Sequence, residues 1–120
     1  MTIMEAIREI DNLKHNTYSD HEKIAWLSAL DGRIFREILS PGEGGGFRGY
    51  DDSTDRATAL LVGAPYEELY LRYLEAKIDY HNAEYDRYNN AMRLFQAILE
   101  GYRNDYNRTC SQKAAVIRYF

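Results

Sequence analysis

Tyr85-Asp86-Arg87-Tyr88-Asn89-Asn90-Ala91-Met92-Arg93-Leu94-Phe95-Gln96-Ala97-Ile98-Leu99-Glu100-Gly101-Tyr102-Arg103-Asn104-Asp105-Tyr106 is the stretch on which the fold turns. Tyr85, Tyr88, Met92, Phe95, Leu99, Tyr102 and Tyr106 recur at alternating spacings of three and four. That is a seam of period about 3.5, the mark of a long helix packed along its length on another helix. The partner lies just upstream. Leu69, Tyr73, Ala76 and Tyr80 repeat at four, three and four. Asn82-Ala83-Glu84 between them reads as a tight reversal, so the two segments should pack antiparallel at about 20°. Pro65 of Gly63-Ala64-Pro65 is placed to start the earlier helix, with Glu67 and Glu68 complementing its dipole. The later helix is expected over about residues 84–107.

Upstream, two further helices announce themselves by their caps. Thr2-Ile3-Met4-Glu5 and Ser19-Asp20-His21-Glu22 both fit the capping box, in which a hydroxyl and a carboxylate satisfy orphan N–H groups reciprocally. Ile3, Ile7, Ile10 and Leu13 follow the first; Ile24, Leu27, Leu30, Ile34 and Ile38 follow the second, to about Leu39. Gly32 interrupts that stripe and marks a bend or a close contact. The chain has eleven Tyr but only two Val and five Thr, a composition that argues against strands. Tyrosine therefore serves as a core-forming residue.

Between the second and third helices the character changes. Residues 41–56 hold Pro41, five of the eight glycines and the acidic run Asp51, Asp52, Asp55. This reads as a flexible loop, and a loop this long inside one small domain is commonly functional. Thr58–Val62 reads as a short extended piece. The other unusual segment is the last, residues 110–120. After Lys113 it runs Ala114-Ala115-Val116-Ile117-Arg118-Tyr119-Phe120, apolar where a terminus is ordinarily polar. The expected class is all-α, a single 1–120 domain. Residues 3–109 form a four-helix bundle with a long antiparallel hairpin of the third and fourth helices; a Gly-rich loop and an extended C-terminal arm complete it. Gly44, Gly45, Gly46, Phe47, Arg48 and Tyr50 of the loop, with Lys113, Val116, Ile117, Arg118, Tyr119 and Phe120 of the arm, are the candidate partner contacts.

Composition excludes much else. A net charge of −4 does not suit a sequence-reading nucleic-acid binder. The single cysteine, Cys110, excludes an internal disulfide framework and multi-cysteine metal sites. His15, His21 and His81 have no metal-ligand spacing, and no cofactor is expected. Gly42-Glu43-Gly44-Gly45-Gly46 lacks the Lys-Ser/Thr and preceding strand of a phosphate loop. The pairs Asp51-Asp52 and Glu67-Glu68 read as loop solvation and dipole compensation. No signal peptide or membrane span is visible, and no catalytic set can be assembled, so an enzyme is not expected. The tyrosines could stack bases as in single-strand binders. Acidic neighbours such as Glu75, Asp79, Glu84 and Asp86 favour a packed seam instead.

Three phrases carry a resemblance: Tyr18-Ser19-Asp20-His21-Glu22-Lys23-Ile24-Ala25-Trp26-Leu27-Ser28-Ala29-Leu30-Asp31-Gly32-Arg33-Ile34-Phe35-Arg36-Glu37-Ile38, Leu60–Tyr70, and Ile78–Asn90 continued at Tyr106-Asn107-Arg108-Thr109. In this order they resemble small proteins of tailed phages and prophages of Gram-positive hosts, encoded among head and portal genes, and through them the head–tail connector (adaptor, head completion) family. The resemblance implies a helical subunit that forms a ring with its own copies beneath the portal protein. It would be made in the host cytoplasm, reside in the virion, and meet the next tail or head-completion protein. Double-stranded DNA would pass through without specific binding, and no membrane would be involved. A tail-completion protein, or a nucleic-acid-associated packaging or regulatory factor, is the alternative.

Overall fold

Thr2 and Ser19 open the first two helices as their neighbours require. Thr2 Oγ1 accepts from Glu5 N at 3.2 Å while Glu5 Oε1 accepts from Thr2 N at 3.3 Å. Ser19 and Glu22 repeat the exchange at 3.2 and 3.3 Å. The computed structural model describes residues 1–39 and 46–118. Over them run α1 (Ile3–Leu13), α2 (Asp20–Ile34) prolonged by a π-helical turn (Phe35–Leu39), α3 (Glu68–His81) and α4 (Tyr85–Arg118). There is no strand among the described residues. The extended piece expected at 58–62 makes a single antiparallel bridge, Thr2 to Ala59, flanked by Ile3 N to Thr58 O and Leu60 N to Met1 O.

The core lies where α3 meets α1 and α2 on one side and α4 on the other. From α1 it takes Ile3, Ala6, Ile7 and Ile10; from α2 and its π turn it takes Ile24, Leu27, Leu30, Ile34 and Ile38. Leu13, expected to continue the α1 stripe, is 57% exposed. Two ion pairs fasten α1 to its neighbours. The Lys23 ammonium, on a side chain buried almost to its tip, reaches Asp11 at 2.6 Å, and Lys14 pairs with the buried carboxylate of Asp79.

α3 has two buried faces. Leu69, Tyr73 and Ala76 answer α4 as the spacing predicts, with the Tyr73 and Phe95 rings 5.2 Å apart. Tyr70, Leu74 and Ile78, a second stripe at a spacing of four, are fully buried in the shared core with α1 and α2. α3 is thus the central element. On α4, Ala91, Phe95 and Leu99 are buried, and Met92, Ile98, Tyr102 and Tyr106 pack at the margin.

Two boundaries differ from expectation, and a third, the reversal at 82–84, falls where the sequence places it. Pro65 does not open α3: residues 63–67 form hydrogen-bonded turns, such as Tyr66 N to Gly63 O, and the helix starts at Glu68. The reversal at 82–84 is made without glycine. Ala83 sits at φ +60°, in the left-handed region, while Asn82, Ala83 and Glu84 donate back to Ile78, Tyr80 and Asp79 carbonyls. That conformation costs a non-glycine residue about 1–2 kcal/mol. The largest difference is at the end of the chain. The arm expected to be extended from residue 110 is helical through Arg118. Nothing between Asn107 and Arg118 breaks a helix, and Gln112, Lys113, Ala114 and Ala115 favour one.

Candidate functional site

Asp31 lies in the last turn of α2, just before the π turn, with its side chain wholly removed from solvent. Its carboxylate accepts hydrogen bonds from the Tyr50 hydroxyl at 2.6 Å, the Tyr70 hydroxyl at 2.7 Å and the Leu61 amide at 3.1 Å. The Tyr70 hydroxyl in turn accepts from Val62 N at 2.8 Å. Burial pushes the Asp31 carboxyl above its ordinary value, and the three donors hold it back only in part. The same burial, with the facing carboxylate, raises both tyrosines far above the usual phenol range. One buried carboxylate therefore ties the segment before α3 to α2 and α3 at once. It is a structural bolt.

That bolt decides what the loop can offer. Phe47 stacks on Phe35 at 6.1 Å and meets Tyr50 edge-on at 5.4 Å. Gly32 faces the Phe47 ring, which a Cβ there would meet in ordinary contact at 3.6 Å; the glycine sits against the loop rather than against another helix. Gly49, at φ +80°, passes so close to α2 that a Cβ would stand 2.8 Å from Ser28 Oγ, which accepts from Tyr50 N. The acidic run is ordered too. Asp51 accepts from Ser53 N at 2.8 Å and from the Ser53 hydroxyl at 2.6 Å, which lowers its pKa, and Asp52 pairs with His21. Residues 46–56, expected to be flexible, are thus laid along α2 by specific bonds.

Of the candidate contacts, Phe47 and Tyr50 are half-buried in this packing, whereas Gly46 and Arg48 are exposed. Gly44 and Gly45 lie outside the described residues, as do Tyr119 and Phe120. Lys113, Val116, Ile117 and Arg118 fall on the last turns of α4. The π turn is fastened to α4 near one end of the molecule. The Tyr106 hydroxyl donates to the Leu39 carbonyl at 3.2 Å, where the chain leaves the π turn, and Arg103 reaches Glu37 at 3.5 Å. Past Tyr106, residues 107–110 are exposed.

The opposite end holds what spacing alone did not reveal. Tyr80 and Tyr85, both assigned to the seam, are 51% and 57% exposed. The Tyr80 ring lies 5.3 Å from Tyr88, 6.1 Å from Tyr85 and 5.5 Å from His81. His81 stacks on Trp26 at 5.5 Å, and Tyr18 closes the group by a hydroxyl bond of 2.6 Å to Asn82. The aromatic seam opens here into a groove between α3 and α4. No described helix is long and apolar enough to cross a membrane.

Set against protein-family models, curated proteins and solved structures, the chain matches none.

Proposed function

We propose that the protein is a structural subunit of phage assembly, a head–tail connector that docks under the portal and joins the DNA-filled head to the tail. The phrase order from Tyr18 to Thr109 supports the family. One observation supports the mode of action. α4 runs twelve residues beyond Tyr106, about 18 Å of helix, and it does so beside Leu39, where the glycine-rich segment departs. A helical body whose last helix runs on for twelve residues beyond the described core suits a subunit that works by shape and docking. The net charge of −4 suits a channel wall along which DNA slides, since phosphates are held by cations.

Deletion of residues 113–120 tests this directly. The truncated protein should keep the far-ultraviolet spectrum and cooperative melting of the helical body, because the described core ends at Tyr106. It should no longer join portal-bearing heads to tails in a reconstitution assay. Full joining activity by the truncated chain refutes the docking role of α4.

A further inference from the structure

The geometry points to a nucleotide-binding site in the groove between α3 and α4, a site that takes one unstacked base and its phosphate. The groove has a volume of about 410 Å³. That lies in the range of small-ligand pockets. Tyr73, Tyr80 and Tyr88 form its walls, and the small side chain of Ala76 leaves its floor open. Tyr80 keeps 51% of its surface open to solvent, with His81, Tyr85 and Tyr88 as its aromatic neighbours. Base–aromatic stacking is worth about 1–3 kcal/mol per base.

Charge selects an anion. Lys77 and Arg33 stand at the edges of the groove. The Lys77 ammonium lies 5.6 Å over the Tyr73 ring and has no carboxylate partner among the described residues. Arg33 pairs with Glu37 Oε2 at 3.2 Å, and Arg103 reaches the same oxygen at 3.5 Å. A cation beside an aromatic wall matches a base joined to a phosphate. Double-stranded DNA does not qualify, because its bases are stacked on one another. The site is therefore compatible with a channel that duplex DNA traverses freely, and it stands independently of the connector reading.

The experiment titrates the full-length protein with thymidine monophosphate, a six-residue oligothymidylate and a twelve-base-pair duplex at low salt. Binding is read by amide shifts in α3 and by anisotropy of labelled strand. Saturable binding of the oligomer is expected, weakened about tenfold by Tyr80→Ala and by Lys77→Gln, with the duplex far weaker. Equal affinity for monophosphate and oligomer assigns a free nucleotide; a much tighter oligomer assigns a single strand. Melting curves confirm that each variant is folded, and Lys77→Gln serves alone if Tyr80→Ala is not. Absence of saturable binding by either ligand, or wild-type affinity in both variants, overturns the site. So does a self-associated form that Tyr80→Ala dissociates without any nucleotide effect, since the groove then belongs to a second copy.

Discussion

Asp31→Ala is expected to lower the unfolding free energy by about 3–5 kcal/mol. The substitution leaves the Tyr70 hydroxyl and the Leu61 amide without an acceptor in a dry site, and it frees the half-buried Tyr50 hydroxyl. Each buried donor so orphaned costs about 1–3 kcal/mol, against a total stability on the order of 5–15 kcal/mol for a domain of this kind. The melting temperature should fall by roughly 10–20 °C. Tyr50→Phe should cost much less, because water can reach the vacated position. A midpoint for Asp31→Ala within a degree or two of wild type contradicts the bolt.

The same residue sets an unusual pH dependence. The folded-state pKa of Asp31 is raised above its ordinary 3.8, so the native protein takes up this proton at a higher pH than the unfolded chain does. Its contribution to stability is then fullest below the unfolded value and is lost as pH rises through the folded one. Asp31→Asn removes that titration. Wild type should gain stability relative to Asp31→Asn as the pH falls from about 7 to about 4. Urea midpoints at the two pH values measure it, and a difference independent of pH rules it out.

Leu74→Ala carries the second large effect, about 3–4 kcal/mol. Leu74 is wholly buried on the α3 face that meets α1 and α2, so its truncation opens a cavity that helices on several sides would have to close. Leu94→Ala on α4, 41% exposed, should stay within about 0.5 kcal/mol. The contrast separates a central α3 from a molecule organised on the α3–α4 seam alone. Comparable denaturation midpoints for the two variants would show that the second face of α3 is not part of the core.

How much could be read from the residues follows from the range of the interactions. The caps at Thr2 and Ser19 and the stripe from Ile24 to Ile38 are local, and periodicity finds them. The seam from Met92 to Tyr106 is equally local. Its extension to Tyr80 and Tyr85 fails because period records that residues share a face, not how close the facing helix comes. Tyr70, Leu74 and Ile78 form a second stripe at a spacing of four, which the match of α3 to α4 alone does not call for. Asp31 was illegible: a lone carboxylate in a helix reads as solvated, and its partners lie 19, 30 and 39 positions away. The groove at Lys77 was hidden for the same reason, since Arg33 comes from another helix. The end of α4 reads as an extended arm from its apolar character, whereas helix propensity at Gln112–Ala115 carries the helix through Arg118.

The long reach of the Asp31 bonds also orders events in time. α3 and α4 meet across three connecting residues, Asn82–Glu84, whereas Asp31 reaches Tyr70 only after 39 positions of chain have been closed into a loop. Closure entropy grows with loop length and must be overcome before the contact forms. The α3–α4 pair should therefore assemble first and the Asp31 bolt last. Substitutions at Phe95 would slow folding, while Asp31→Ala would chiefly hasten unfolding. A stopped-flow chevron in which Asp31→Ala moves only the folding limb would reverse the order. In the predicted order, the carboxylate that fastens the segment before α3 takes no part in finding the molecule's shape.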